Sequence, residues 1–425
     1  MKKDVKFFII KFGLLFTIVL SLIPIIYPII PYNLLNTHKI NLSNSNNFGL
    51  DQHIIWGGND SDCAYDIALD DLGNIYITGD TKSYNGEGND VFIAKFNNSG
   101  YLLWNKTWGS LDDDYGYGLV INNSNDIFVT GTIENKAFIS KYNSSGFQVW
   151  ERIIGFSCGN DIILDQSNNI YITGYDGNRL DNTQDFFIAK YNSSGFEIWN
   201  KTSALDNNDV SKALTLDNSG NVYITGYFNP NADDYDLLLA KYDSSGVQQW
   251  NETWGEIDDN EFGYGILIDN LDNLYVCGSI LKSDNEAILM KYDSNKNLHW
   301  IGMWGRGTRG HDLRLDNSGN VYVTGFHSHN SAFIAKISPS GKNFNQKTWG
   351  DFYQRAKGYG IVIDESNNLF VSGKLNDIET GSFDAFIAKY IFKDSKISMG
   401  ILFIFPAGIM LFAIIFYLNR KIFIN

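Results

Sequence analysis

The chain has 425 residues with 33 Lys or Arg against 48 Asp or Glu, a formal net charge of −15 at pH 7. That excess of acid argues against nucleic acid or anionic lipid as a partner, since both are polyanions. Three cysteines are too few for a disulfide framework, so stability has to come from a large buried core.

Residues 1–32 begin with Lys2, Lys3, Lys6 and Lys11 and continue in the apolar run Phe12 to Tyr32. The run lacks a small-residue cleavage site of the A-x-A kind, the pattern of a retained membrane anchor rather than a removed signal segment. A polar linker, 33–49, follows. Residues 50–392 are then repetitive. The stretch DNSGNVYITGY at Asp217 returns as DNSGNVYVTGF at Asp316. The same segment closes in a T-G, C-G or S-G step at Gly79, Gly131, Gly174, Gly226, Gly278, Gly325 and Gly373, a period of about 43 to 52 residues. Each copy continues into an apolar run ending in Lys, such as FFIAKY, and most then turn at S-G and rise to Trp, as in NSSGFEIWNKT.

One unit therefore reads as four short runs of Val, Ile, Tyr, Phe and Trp separated by Gly, Asn, Asp and Ser, which predicts four strands joined by tight turns. Seven such units predict an all-β, seven-bladed β-propeller. The ten Trp fall in two columns of the fourth strand, Trp104, Trp150, Trp199, Trp250 and Trp300, and Trp56, Trp108, Trp254, Trp304 and Trp349. Their even spacing places both columns on one face, between blades. The seventh copy lacks its Trp strand, whereas the first is preceded by an extra DQHIIWGG. That segment is expected to close the ring as the fourth strand of blade seven. A second apolar span, 397–418, and a short tail, 419–425, with Arg420 and Lys421 end the chain. Basic flanks outside both spans put both termini in the cytoplasm and the propeller outside the cell, tethered to the cell membrane by two helices. Sequons such as Asn97, Asn143, Asn192 and Asn251 permit glycosylation without establishing it.

The repeat resembles the SBBP β-propeller repeats of prokaryotic surface and secreted proteins. The matching residues are the W-G opening WGSLDDDYGYG, the core DNSGNVYITG and the segment DFFIAKYNSSG. The resemblance implies a propeller and, more loosely, interaction at the cell surface, because the family has no single assigned activity.

Function is expected on the face that carries the loops into the first strands and between the second and third strands, called here upper. These loops differ from blade to blade while the lower turns repeat. The upper lead-in loops carry Asp60, Asp62, Asp112, Asp114, Asp209, Asp259 and Glu261 on one side, and Arg306, Arg309, Arg355 and Lys357 on the other. An acidic arc facing a basic one is expected to form a ligand-binding rim, and the acids could hold Ca²⁺, although the full calcium-loop spacing is missing. His311, His327 and His329 form a second candidate, for a transition metal. No catalytic residue is assigned. GFSCG at 155–159 matches the nucleophile-elbow letters but opens a blade, where the required strand-turn-helix cannot form. The expected function is non-enzymatic binding or adhesion to an extracellular protein or glycan through the upper face, with no cofactor. The alternatives are a propeller enzyme, quinoprotein-like or a hydrolase or lyase, and a structural component of the envelope.

Overall fold

The structure, a computed structural model, describes residues 37–39 and 48–392 apart from 85–87, 178–182, 204–207, 232–233, 257–258, 283–284, 329–330, 343, 350–354 and 377–380. Seven antiparallel sheets follow one another around a ring. Blade one runs Asp62–Leu69, Ile75–Thr81, Asp90–Phe96 and Leu102–Trp108, and blades two to six repeat that order from the inner strand outward. Blade seven takes Ala356–Ile363, Leu369–Asn376 and Phe383–Phe392 from the end of the repeats and its outer strand, Phe48–Trp56, from the beginning. Phe48 pairs with Phe392 and Trp56 with Ala385, so the ring closes as the extra DQHIIWGG implies, and both ends of the propeller leave on the same, lower side. Thr37–Lys39 adds a short parallel strand outside blade five, within the expected linker. Among the described residues no helix is long and apolar enough to cross a membrane, and the two apolar spans, 12–32 and 397–418, lie outside them.

The repeated text has a separate cause at each position. In the turn after the first strand, Asp217 Oδ1 accepts the backbone N–H of Ser219 and Asn221, and Oδ2 accepts from Asn221 Nδ2 and Tyr223 OH. The Lys241 ammonium stands 3.6 Å from the same carboxylate and 4.7 Å over the Tyr223 ring. One Asp thus ties together the Asn, the Tyr and the Lys that recur with it in the sequence. The residue that closes the turn has a left-handed backbone, which Gly220 (φ 77°) takes freely and Asn168 (φ 60°) takes in its place in blade three. The S-G turn is set by packing. A Cβ on Gly195 or Gly246 would touch the ring of Trp150 or Trp199 from the preceding blade, and the Trp199 indole N–H donates to the Ser244 carbonyl at 3.3 Å. Both Trp columns therefore face the next blade.

Seven apolar clusters fill the seven junctions between blades. At the closing junction Trp56, Phe370, Ala385 and Ile387 of blade seven pack with Ile67, Ile77, Phe92 and Phe96 of blade one. The Trp56 ring stacks on Phe92 with centroids 4.0 Å apart. The three cysteines are free and buried.

Candidate functional site

Every first strand carries a bulge at the same place. In blade one the register shifts between Ala64 and Asp66, and equivalent shifts fall around Tyr117, Asn160, Lys212, Tyr264, His311 and Tyr359. A bulge leaves one residue unpaired and re-aims its side chain. Here the seven bulge residues, Tyr65, Tyr117, Asn160, Lys212, Tyr264, His311 and Tyr359, all line one central cavity of about 810 Å³. They form a collar. Ring centroids are 5.2 Å apart for Tyr65 and Tyr117, 5.3 Å for Tyr65 and Tyr359, 5.1 Å for Tyr359 and His311, and 4.7 Å for His311 and Tyr264. Asn160 and Lys212 occupy the two remaining places.

The T-G step is the other half of this device. A Cβ on Gly79, Gly174 or Gly325 would overlap the carbonyl oxygen of Cys63, Cys158 or Arg309, in the bulged strand opposite. The neighbouring Thr is turned the other way, its hydroxyl donating to a third-strand carbonyl, as Thr173 does to Phe187 O at 2.7 Å.

Below the collar the strands carry Asp66, Asp161 and Asp312. Each reaches the next blade by accepting a backbone N–H, from Leu119, Leu214 and Ile361. The Arg314 guanidinium pairs with Asp312 at 2.7 Å. Burial first, and then the neighbouring Asp312, push Asp66 up to about 7; burial likewise pushes Asp161 up to about 8. Above the collar the charge reverses. Arg309 and Lys357 stand two residues before His311 and Tyr359 on their strands, and burial with the charges of Arg309, Lys357 and Lys212 holds His311 neutral, down to about 3.

The expected rim residues do not share one surface. Asp60, Asp112, Arg306 and Arg355 are exposed, and Asp259 pairs with Lys282 at 3.5 Å. Asp62, Asp114, Asp209 and Glu261 are instead buried at the blade junctions. Asp62 accepts from Gly58 N, Thr81 and Ser83, and Asp114 from Ser110 N and Glu134 N, so these acids fold the loops back onto themselves. The W-G glycine makes room for them. A Cβ on Gly109 would meet the Asp90 and Asp114 carboxylates, and one on Gly255 those of Asp236 and Glu261. Arg309 points into the channel. The histidines are also separated. His311 lies in the collar, stacked on Tyr264 and Phe326; His327 packs on Phe333 and sits 3.1 Å from Gln346 Nε2; His329 lies outside the described residues. Among the described residues no three His, Cys, Asp or Glu side chains group as a metal site. The collar could have been found in the sequence, from the G-Y-G triplets at 116–118, 263–265 and 358–360.

Glu261, like Asp209, has one carboxylate oxygen buried without a hydrogen-bond partner. Burial, and then Asp259, Asp236 and Asp234, push it up to about 8 from an ordinary 4.5. The folded chain therefore holds a proton that the unfolded chain releases above its ordinary value. Stability is greatest below that value and falls as pH rises through 8. The Glu261→Gln variant is expected to melt higher than the wild type at pH 8.5 and with a smaller difference at pH 5, as read by thermal unfolding in both buffers. A wild-type advantage at pH 8.5 would show that the acid is compensated.

The fold and the collar define a class: a closed seven-bladed β-propeller with a polar, aromatic central channel. The chain carries the SBBP beta-propeller repeat, whose family model matches residues 54–87. No curated protein sequence matches it. Among solved structures it is similar to the WD40 propeller domain of Doa1, at 9% identity over 82% of this chain and 98% of that one, with a TM-score of 0.55. It is also similar to a polysaccharide lyase, the PL25 ulvan lyase bound to -[GlcA(1-4)Rha3S]-, at 12% identity over 78% and 94% of the two chains with a TM-score of 0.53. YCF48 bound to D1 peptide gives 9%, 84%, 99% and 0.52 in the same order. At these identities the likeness is one of fold.

Proposed function

We propose that this protein is a membrane-tethered recognition module, held outside the cell with both termini in the cytoplasm, that binds an extracellular protein or glycan at the upper mouth of its channel. The carrying observation is the collar. Seven blades use one backbone device to present seven side chains, and where the scaffold text repeats, the collar reads Tyr, Tyr, Asn, Lys, Tyr, His, Tyr. A concave cavity lined by aromatic rings and a few converging polar groups is the usual form of a ligand site. The shared lower exit of Phe48 and Phe392 favours an upper face turned away from the membrane.

The test is retention of glycans and envelope proteins on the full-length chain in detergent, beside the Tyr65→Ala and Lys212→Ala variants. Saturable retention by the wild type, lost in variants with unchanged melting, is the expected result; equal retention by all three would remove the collar from the reading. A second reading is elimination catalysis on an acidic polysaccharide. It is favoured by the aromatic hydroxyls of Tyr264 and Tyr359 beside Arg309, which could give a proton and neutralise a carboxylate, around a neutral His311. Unsaturated sugar ends appearing in the same mixtures would support it.

A further inference from the structure

We propose that the part of the channel above the collar is an anion site for an acidic sugar residue, with Arg309 and Lys357 holding the anionic group and the collar rings holding the sugar. This deepens the proposed function and rests on its placement of the ligand at the upper mouth.

The charge argument comes first. Arg309, Lys357 and Lys374 make no ion pair among the described residues, although the chain has acid to spare. Their positive charges rest on rings and hydroxyls instead. Lys357 Nζ lies 4.4 Å from the Phe326 centroid, Lys374 Nζ lies 4.8 Å from that of Phe383, and Arg309 bonds the Tyr264 hydroxyl. Lys212 adds a further cation from the opposite side of the collar, 5.9 Å from the Tyr227 ring. Like charges gathered at one level, beside a cavity that Arg309 lines, raise one another's energy. Lys357 shows it: burial, then Lys374 and Arg309, hold its ammonium below the usual lysine range. Asp80 is the carboxylate at this level, on the side of blade one, where it bonds Tyr65; burial pushes it up to about 7, which lowers its capacity to neutralise the cluster. An anion entering from the upper face would neutralise Arg309 and Lys357 together, by charge-assisted hydrogen bonds.

The polarity along the channel fixes the orientation. Beneath the collar Asp66, Asp161 and the Arg314-paired Asp312 add no further cation and offer carboxyl oxygens to hydroxyl donors. The ligand best matched to this order is anionic at one edge and carries hydroxyls at the other. Between the two levels the Tyr65 and Tyr359 rings line the cavity and suit contact with the C–H face of a pyranose, and the neutral His311 offers both a donor and an acceptor. An inorganic anion would use the cations and leave the rings idle; a neutral sugar would do the reverse.

The experiment is isothermal titration of the full-length chain in detergent with glucuronate, glucose and sulfate as probes. Glucuronate is expected to bind saturably, more weakly as salt is raised, and about tenfold or more tighter than either glucose or sulfate. Arg309→Gln and Lys357→Gln should each lower glucuronate affinity by about tenfold with unchanged melting, and Lys357→Arg should restore most of it. Glucose binding as tightly as glucuronate would overturn the anion site while leaving the recognition module standing, and sulfate binding as tightly would overturn the sugar component. Failure of glucuronate to bind at any salt also overturns the proposal, whereas failure of the recognition module is read separately, in the retention experiment with Tyr65→Ala and Lys212→Ala.

Discussion

A chain that begins at Gly57, without the strand Phe48–Trp56, is expected to lose its cooperative unfolding transition at room temperature. That strand closes the ring. It pairs along its whole length with Phe383–Phe392, and its Trp56, 5% exposed, fills the junction of blades seven and one against Phe92. Removing a buried Trp alone costs about 3 to 5 kcal/mol, and the lost ladder adds to it. The sum is comparable to the whole stability of many domains, about 5 to 15 kcal/mol. The exposed edge of Phe383–Phe392 would also template pairing between chains. Urea unfolding followed by Trp fluorescence, with size-exclusion chromatography of the same samples, checks both consequences. Adding the peptide 48–56 in trans should recover part of the transition, because a peptide that restores the missing ladder and Trp56 binds the closed ring and not the opened chain. An unchanged urea midpoint in the shortened chain would mean that six junctions suffice and that the closing strand is dispensable.

The second large effect is expected from a single methyl group. Gly174→Ala places a Cβ against the Cys158 carbonyl oxygen, inside the bulge that aims Asn160 into the channel. Neither partner is a flexible side chain: one is the backbone of the inner strand and the other that of its neighbour. The clash can be relieved only by moving the bulge, so a loss of about 3 kcal/mol or more is expected, at the upper end of overpacking. Gly155→Ala is the control, since a Cβ there meets nothing within 4 Å. Equal midpoints for the two variants in urea would show that the bulge yields easily, and would weaken the case that it holds the collar in place.

Much of this architecture is legible in the text of the repeat. The seven T-G, C-G and S-G steps, the Asp turns and the S-G turns each answer a local backbone demand, so they recur wherever the demand does. The closing strand is legible as well, from one Trp that precedes the first complete copy and one that is missing after the last. The lower Asp-Asn-Tyr-Lys network is visible as repetition, but its members lie on one turn and two strands, and only pairing brings Asp217, Tyr223 and Lys241 together.

The site was another matter. Their place in the lead-in loops assigns the acids to a solvated rim, and apart from the G-Y-G triplets around Tyr117, Tyr264 and Tyr359 nothing in the sequence singles out the collar residues. One inserted residue per strand changes the face presented after it, because a strand alternates with a period of two. The bulge forms only when the second strand supplies a glycine opposite, and the collar exists only when seven bulges meet around one axis. Likewise Asp62, Asp114, Asp209 and Glu261 are acids by sequence but buried members of blade junctions by position. Number of blades, closure and turn chemistry follow from short-range residue pattern; the direction in which the inner strands point their side chains follows from pairing and ring geometry, which no window along one strand contains.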